Sequence, residues 1–197
     1  MHKGRLEAFS DGVFAIIITI MVLEIKTPHG TSISDLKPVL PVLLSYLLSF
    51  VYVGIYWNNH HHMLYTTKKV NGSVLWANLH LLFWLSLIPF VTAWMDENHF
   101  ASAPVALYGF VLFMNAMAWL ILQKRLICVE GNTSLLALAI GKSVKEKISP
   151  ILYFIGIAVA FFNPWISILL YIVVALIWLI PDLRIEHSLN KDSQQAN

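Results

Sequence analysis

Phe9-Ser10-Asp11-Gly12-Val13-Phe14-Ala15-Ile16-Ile17-Ile18-Thr19-Ile20-Met21-Val22-Leu23 is the stretch on which the fold turns. An acidic residue heads an unbroken apolar run from Val13 to Leu23, and Arg5 precedes it by six positions. Ionisable groups at bilayer depth are costly and face a protein interior or an aqueous path. The helix these residues form is therefore not an ordinary lipid-facing span but the candidate functional helix. The sequence after Leu23, Glu24-Ile25-Lys26-Thr27-Pro28, has no small-residue cleavage site, so the run reads as a retained span and not as a secretion signal.

The rest of the chain agrees with a membrane setting. Of its 197 residues 58% are hydrophobic and 12% charged, whereas a soluble domain carries about a quarter charged residues. That deficit leaves too few charges to keep a surface of this size wet, and the chain reads as an integral membrane protein. A net charge of +2 gives no footprint for nucleic acid, and the single cysteine, Cys128, excludes an intrachain disulfide.

A bilayer-spanning helix needs ~20 mostly apolar residues, and six segments meet that. They run from about Arg5 to Lys26, Pro38 to Tyr65, Ser73 to Met95 with a kink at Pro89, Pro104 to Ile127, Ile148 to Phe162, and Trp165 to Ile180. Ser149-Pro150 marks the entry of the fifth, Asn163-Pro164 leaves a tight hairpin before the sixth, and Pro181-Asp182 ends it. Leu135 to Lys147 reads as an interfacial segment, too short and too charged to cross. Residues 1–185 thus form one all-α, six-helix membrane domain, and residues 186–197 a polar, disordered cytoplasmic tail. With the N-terminus inside, the inner side holds Lys3, Arg5, Lys68, Lys69, Lys124, Arg125, Lys142, Lys145, Lys147, Arg184 and Lys191, and the outer side only Lys26 and Lys37. That bias predicts cytoplasmic N- and C-termini in the cell membrane. Trp57, Tyr65, Trp94 and Trp165 fall near span ends, as an aromatic belt does.

Six spans without internal duplication are few for an inverted-repeat transporter, so a permeation path needs several copies around an axis. At ~100° per residue, Gly12, Ile16, Thr19, Ile20 and Leu23 share one face of the first helix. Facing inward in a symmetric oligomer, Ile16 and Leu23 become apolar collars ~10 Å apart, with Thr19 hydroxyls between them. Apolar collars gate by dewetting, and oxygen rings replace part of an ion's hydration shell. The same stripe is also what ordinary helix packing looks like. Ser10 could be an N-cap, but Arg5-Leu6-Glu7-Ala8 already reads as helix, which places Ser10 and Asp11 inside it.

Depth counting supplies partners. Asn58, Asn59, His60, His61 and His62 on the second span, and Asn78 and His80 on the third, lie near the level of Asp11. An Asp11–His60–Asn78 network, with Arg5 beside it, would satisfy buried polar groups across three helices. His60-His61-His62 invites a metal or cation-transport reading, but consecutive helical residues point ~100° apart, and no Cys or carboxylate motif accompanies them. Val51-Tyr52-Val53-Gly54-Ile55-Tyr56 faintly matches a potassium filter, yet it lies in an uninterrupted span, where Gly54 reads as a close helix-packing site. No phosphate loop, Ser–His–Asp set or zincin motif occurs, so no enzyme and no cofactor is expected.

Arg5-x-x-x-Phe9-Ser10-Asp11 resembles the Arg-x-x-x-Phe-Ser-Asp signature of the transmembrane protein 175 family, potassium channels of endosomes and lysosomes with prokaryotic relatives. Trp57-x-x-His60, Leu75-x-x-Asn78-Leu79 and Leu87-Ile88-Pro89-Phe90 are similar to patterns of its second and third helices. The resemblance implies a single-repeat subunit of a homotetramer whose first helix lines the pore. It puts the constriction on Ile16, with Leu23 and Thr19 or Ile20 as further rings. It gives Arg5, Phe9, Ser10 and Asp11 the role of holding helices together near the cytoplasmic side, with His60 and Asn78 as partners. Potassium ions, and other monovalent cations more weakly, are the expected permeants. Isoleucine collars offer no oxygen ligands, so discrimination among cations should be modest.

Overall fold

The structure, a computed structural model, describes residues 3–131, 134, 137 and 144–179. Every regular element among them is helical: α1 (Lys3–Leu23), α2 (Leu40–Tyr65), α3 (Gly72–Ser86), α4 (Ile88–Glu97), α5 (Ser102–Glu130), α6 (Val144–Val159) and α7 (Pro164–Leu179), with a 3₁₀ turn at Ile33–Val39 leading into α2. Four stretches are long and apolar enough to cross a membrane: Lys3–Leu23, Ile33–Tyr65, Gly72–Glu97 and Ser102–Glu130. Taking α3 and α4 as one broken rod, the described residues make six helical rods, the number of segments the hydropathy pattern predicts, although α6 and α7, with 16 described residues each, are shorter than the other four.

The break falls where Pro89 lacks the N–H that would bond the Leu85 carbonyl. The carbonyl of Trp84 at the break is taken up by Leu87 N–H and by the Asn115 side chain on α5, at 3.4 Å. Asn71 caps α3, its Oδ1 accepting from Val74 N–H at 3.1 Å. At the other end of α4, His99 and Phe100 adopt left-handed backbone (φ 51° and 59°) and reverse the chain into α5, and Phe100 packs on Trp165 at 5.2 Å between ring centroids.

The centre of the bundle is α5, which packs against α3, α4, α6 and α7. In its apolar window 61% of residues are buried, against 28% for α1, so α1 lies at the margin of the subunit. Tyr171 of α7 drives between α5 and α6, where Gly109 and Gly156 leave the room; a Cβ at either would collide with its ring. Its hydroxyl donates to the Val105 carbonyl at 3.4 Å. A second buried cluster joins α2, α4 and α5: Ser49 is bonded to Thr92 at 2.7 Å and to Tyr108 at 3.0 Å.

Two expectations need correction. Gly54 is no close-packing site, since a Cβ there would meet nothing within 4 Å. Pro150 does not mark a helix entry, because α6 begins at Val144 and takes the proline into its interior. Asp96 and Glu97 form the last turn of α4, where Asp96 accepts a hydrogen bond from Ser45 of α2. Most of the expected interfacial segment, the sixth-span terminus at Pro181-Asp182, and the tail at 186–197 lie outside the described residues.

Candidate functional site

The face that α1 turns into the subunit is Leu6, Ser10, Phe14, Ile17 and Met21, all buried. The opposite face carries Phe9, Gly12, Ile16, Thr19, Ile20 and Leu23, all exposed on the single chain. Ile16 is 58% exposed and Leu23 81%, values unusual for large apolar side chains unless lipid or another copy covers them. Thr19 Oγ1 donates to its own helix at the Ile16 carbonyl, 2.9 Å, which leaves the oxygen lone pairs facing outward.

Two anchors hold the helix against its neighbours, and an exposed ion pair ties the segment just after it to α4. At its start, the Lys3 ammonium donates to the last-turn carbonyls of α2, Leu64 at 2.9 Å and Tyr65 at 3.3 Å, and pairs with Glu7 at 3.4 Å. The Leu64 carbonyl also accepts from Thr67 N–H at 2.9 Å, and both carbonyls lie at the negative end of the α2 dipole, so a cation suits them. At the far end, Lys26 pairs with Glu97 of α4 at 2.9 Å, which raises its pKa above the ordinary 10.5. Between them lies a buried polar chain: Asn78 Nδ2 donates to Ser10 Oγ at 3.0 Å, Asn78 Oδ1 bonds His60 Nε2 at 2.7 Å, and Ser10 donates to the Leu6 carbonyl at 2.8 Å. Ser10 and Asn78 are fully buried and His60 almost so. Phe14 closes the chain edge-on against His60 at 5.6 Å.

The sequence places Asp11 in this chain; the structure puts Ser10 there. Asp11 points the other way and accepts from the Trp57 indole at 3.0 Å, on the exposed side of α1 and α2. Ser10 is thus a helix-interior residue and not a cap. Arg5 forms no ion pair among the described residues and instead borders an open groove with Phe9, Val70 and Leu79. Trp57 and Lys3 were missed as anchors because each had another ready meaning, belt aromatic and inner-side charge. The signal that could have found Trp57 is depth, since it lies one helical turn from His60 and level with Asp11.

The three histidines diverge. His60 is turned inward to Asn78, while His61 stacks between Trp57 and Tyr65 at 6.2 and 6.5 Å and is exposed. Among the described residues no group of three or more His, Cys, Asp or Glu is placed to hold a metal ion.

Residues 5–89, which contain α1 from Arg5 onward together with α2 and α3, match the family model described as endosomal/lysosomal potassium channel TMEM175. A potassium channel of Chryseobacterium sp. (strain P1-3) is 62% identical over 192 residues, covering 98% of this chain and 100% of the relative. The chain belongs to the TMEM175 family. Among solved structures, that of a lysosomal potassium-selective channel TMEM175 homolog from Chamaesiphon minutus matches with a TM-score of 0.75 at 29% identity, covering 91% of this chain and 97% of the other. The endosomal/lysosomal proton channel TMEM175 of Gallus gallus is 40% identical over 81 residues, 34% of this chain and 16% of that protein.

Proposed function

We propose that this TMEM175-family chain is the subunit of a homotetrameric, potassium-permeable cation channel of modest selectivity, with α1 lining the pore and both termini cytoplasmic. The observation that carries the reading is the exposed apolar face of α1 opposite a fully anchored one. A helix held at Lys3 and Ser10 keeps its rotation, so the same residues stay on the outer face. Around a four-fold axis, Ile16 forms the constriction, Leu23 a second apolar ring ~10 Å away, and Thr19 or Ile20 the ring between. Dewetting of the collars closes the path and partial hydration opens it. The Thr19 lone pairs offer the oxygen contact in an otherwise apolar stretch, which supports weak discrimination. Ser10, His60 and Asn78 hold α1 from inside the subunit and Asp11 through Trp57. Arg5 and Phe9, exposed on the single chain, act through the assembly.

Purified protein in liposomes tests this. An outward potassium gradient should drive fast, non-saturating flux larger than that under an equal sodium gradient, and native mass spectrometry should show four copies. Slow saturable flux that depends on His60–His62, or a monomeric active species, would instead indicate a small cation or metal transporter.

A further inference from the structure

Glu130 is the last residue of α5, where a carboxylate meets the negative end of the helix dipole. On α5 alone its charge has the wrong sign for its place, and the compensation lies outside the helix. Glu130 Oε1 accepts from two successive backbone N–H groups, those of Lys68 and Lys69 in the α2–α3 connection, at 2.6 Å each. Backbone donors converging on one oxygen form an anion receptor, and bonds to a charged acceptor are about twice as strong as neutral ones. Gly131, with φ 99°, ends α5 directly after Glu130, and its N–H returns to the Ile127 carbonyl at 2.8 Å. The carboxylate is therefore presented from a fixed helix end. Among the described residues the other hydrogen bonds of 66–71 are local, such as those that Thr66 and Thr67 Oγ1 donate to the Met63 carbonyl at 2.9 Å.

This connection runs on from the residues that hold the start of α1. Thr67 N–H binds the Leu64 carbonyl, and the same carbonyl accepts the Lys3 ammonium at 2.9 Å. Tyr65 adds its own carbonyl at 3.3 Å and its ring, whose centroid lies 5.8 Å from Lys3 Nζ. Lys3 and Glu130 thus grip one stretch of chain, 64–69, from two helices. One of those helices is the centre of the bundle and the other lies at its margin. We propose that Glu130 is a positioning residue for α1: its carboxylate clamps the α2–α3 connection to α5 and so sets the carbonyls on which the Lys3 ammonium docks. The clamp passes the placement of the central helix to α1. It stands whether or not α1 lines a pore.

Hydrogen–deuterium exchange of the full chain in lipid nanodiscs tests this, with Glu130→Ala, Glu130→Gln and Lys3→Met compared with wild type. Glu130→Ala should speed exchange at the Lys68 and Lys69 amides by roughly ten-fold or more, and Glu130→Gln, which keeps an oxygen acceptor without its charge, by less. Exchange should also rise at Glu7 to Ser10, whose amides close the first turn of α1. Lys3→Met should raise exchange in that α1 turn alone, and adding Glu130→Ala to it should raise the turn no further, because both act through the same carbonyls. If Glu130→Ala does not fold, Glu130→Gln with and without Lys3→Met reads the same pattern at smaller amplitude. Unchanged exchange at Lys68 and Lys69 would overturn the clamp. Faster exchange there with α1 unaffected, or additive effects of Lys3→Met and the Glu130 change on α1, would overturn the positioning role. Potassium flux on the same variants separates the two readings, since a looser α1 with unchanged flux upholds the clamp and counts against α1 as the pore wall.

Discussion

Replacing Asn78 by Leu should cost more than any other single change among the signature residues, and the structure gives the size. The Asn78 amide makes both side-chain bonds of the buried chain, to Ser10 at 3.0 Å and to His60 at 2.7 Å. Leucine removes both and leaves a buried imidazole nitrogen without a partner, while Ser10 keeps its bond to the Leu6 carbonyl. An unsatisfied buried polar group costs about 1–3 kcal/mol, and interhelical hydrogen bonds in membrane proteins average ~0.6 and reach ~1.7 kcal/mol. A loss of about 2 kcal/mol is expected for Asn78→Leu. For Ser10→Ala, which strands one amide proton, about 1 kcal/mol is expected. Asp11→Ala should cost under ~0.5 kcal/mol, because its bond to Trp57 is exposed. Steric-trapping unfolding in bicelles measures these differences, and a double-mutant cycle between Ser10→Ala and His60→Phe reads the coupling through Asn78. Additive effects in that cycle, or Asp11→Ala costing as much as Asn78→Leu, would refute the arrangement.

Gly109→Ala should destabilise the subunit by about 1–3 kcal/mol through the clash with Tyr171, whereas Gly54→Ala, with open space around it, should be neutral or stabilise by up to ~1 kcal/mol; thermal melts of the two variants check this. In a Cys128→Ser background, Thr19→Cys should be modified by a thiol reagent with loss of flux, and Met21→Cys on the buried face should not. The Lys26–Glu97 pair is exposed, so its coupling should be measurable at low ionic strength and vanish near 1 M salt, where the Debye length is about 3 Å. Pairing raises the lysine pKa above 10.5; its contribution is therefore full below the ordinary value and lost as pH climbs through the raised one. Cross-linking yield between the two positions against pH and salt follows it.

The spans were legible because the bilayer imposes them: apolar length and Pro, Gly and Asn breakers mark where each helix runs. Pro89 announced the α3–α4 break for the same reason. Helix rotation was not legible. Ser10 and Asp11 lie at one depth but ~100° apart, and which of them meets Asn78 depends on where α3 packs. The glycines show the same limit, since only the position of Tyr171 tells that Gly109 and Gly156, and not Gly54, sit at a close approach. At α6, Pro150 was read as an entry because proline favours first turns. The residues from Val144 extend the helix before it, at the cost of the bond its nitrogen would have made to the Glu146 carbonyl.

The most direct test of α1 as the pore wall is potassium flux through liposomes holding wild type and Ile16→Asn, matched for the amount of assembled protein. A polar side chain at the constriction should wet it and raise flux several-fold while narrowing the difference between potassium and sodium. Unchanged flux in a normally assembled Ile16→Asn protein would remove the exposed face of α1 from the ion path.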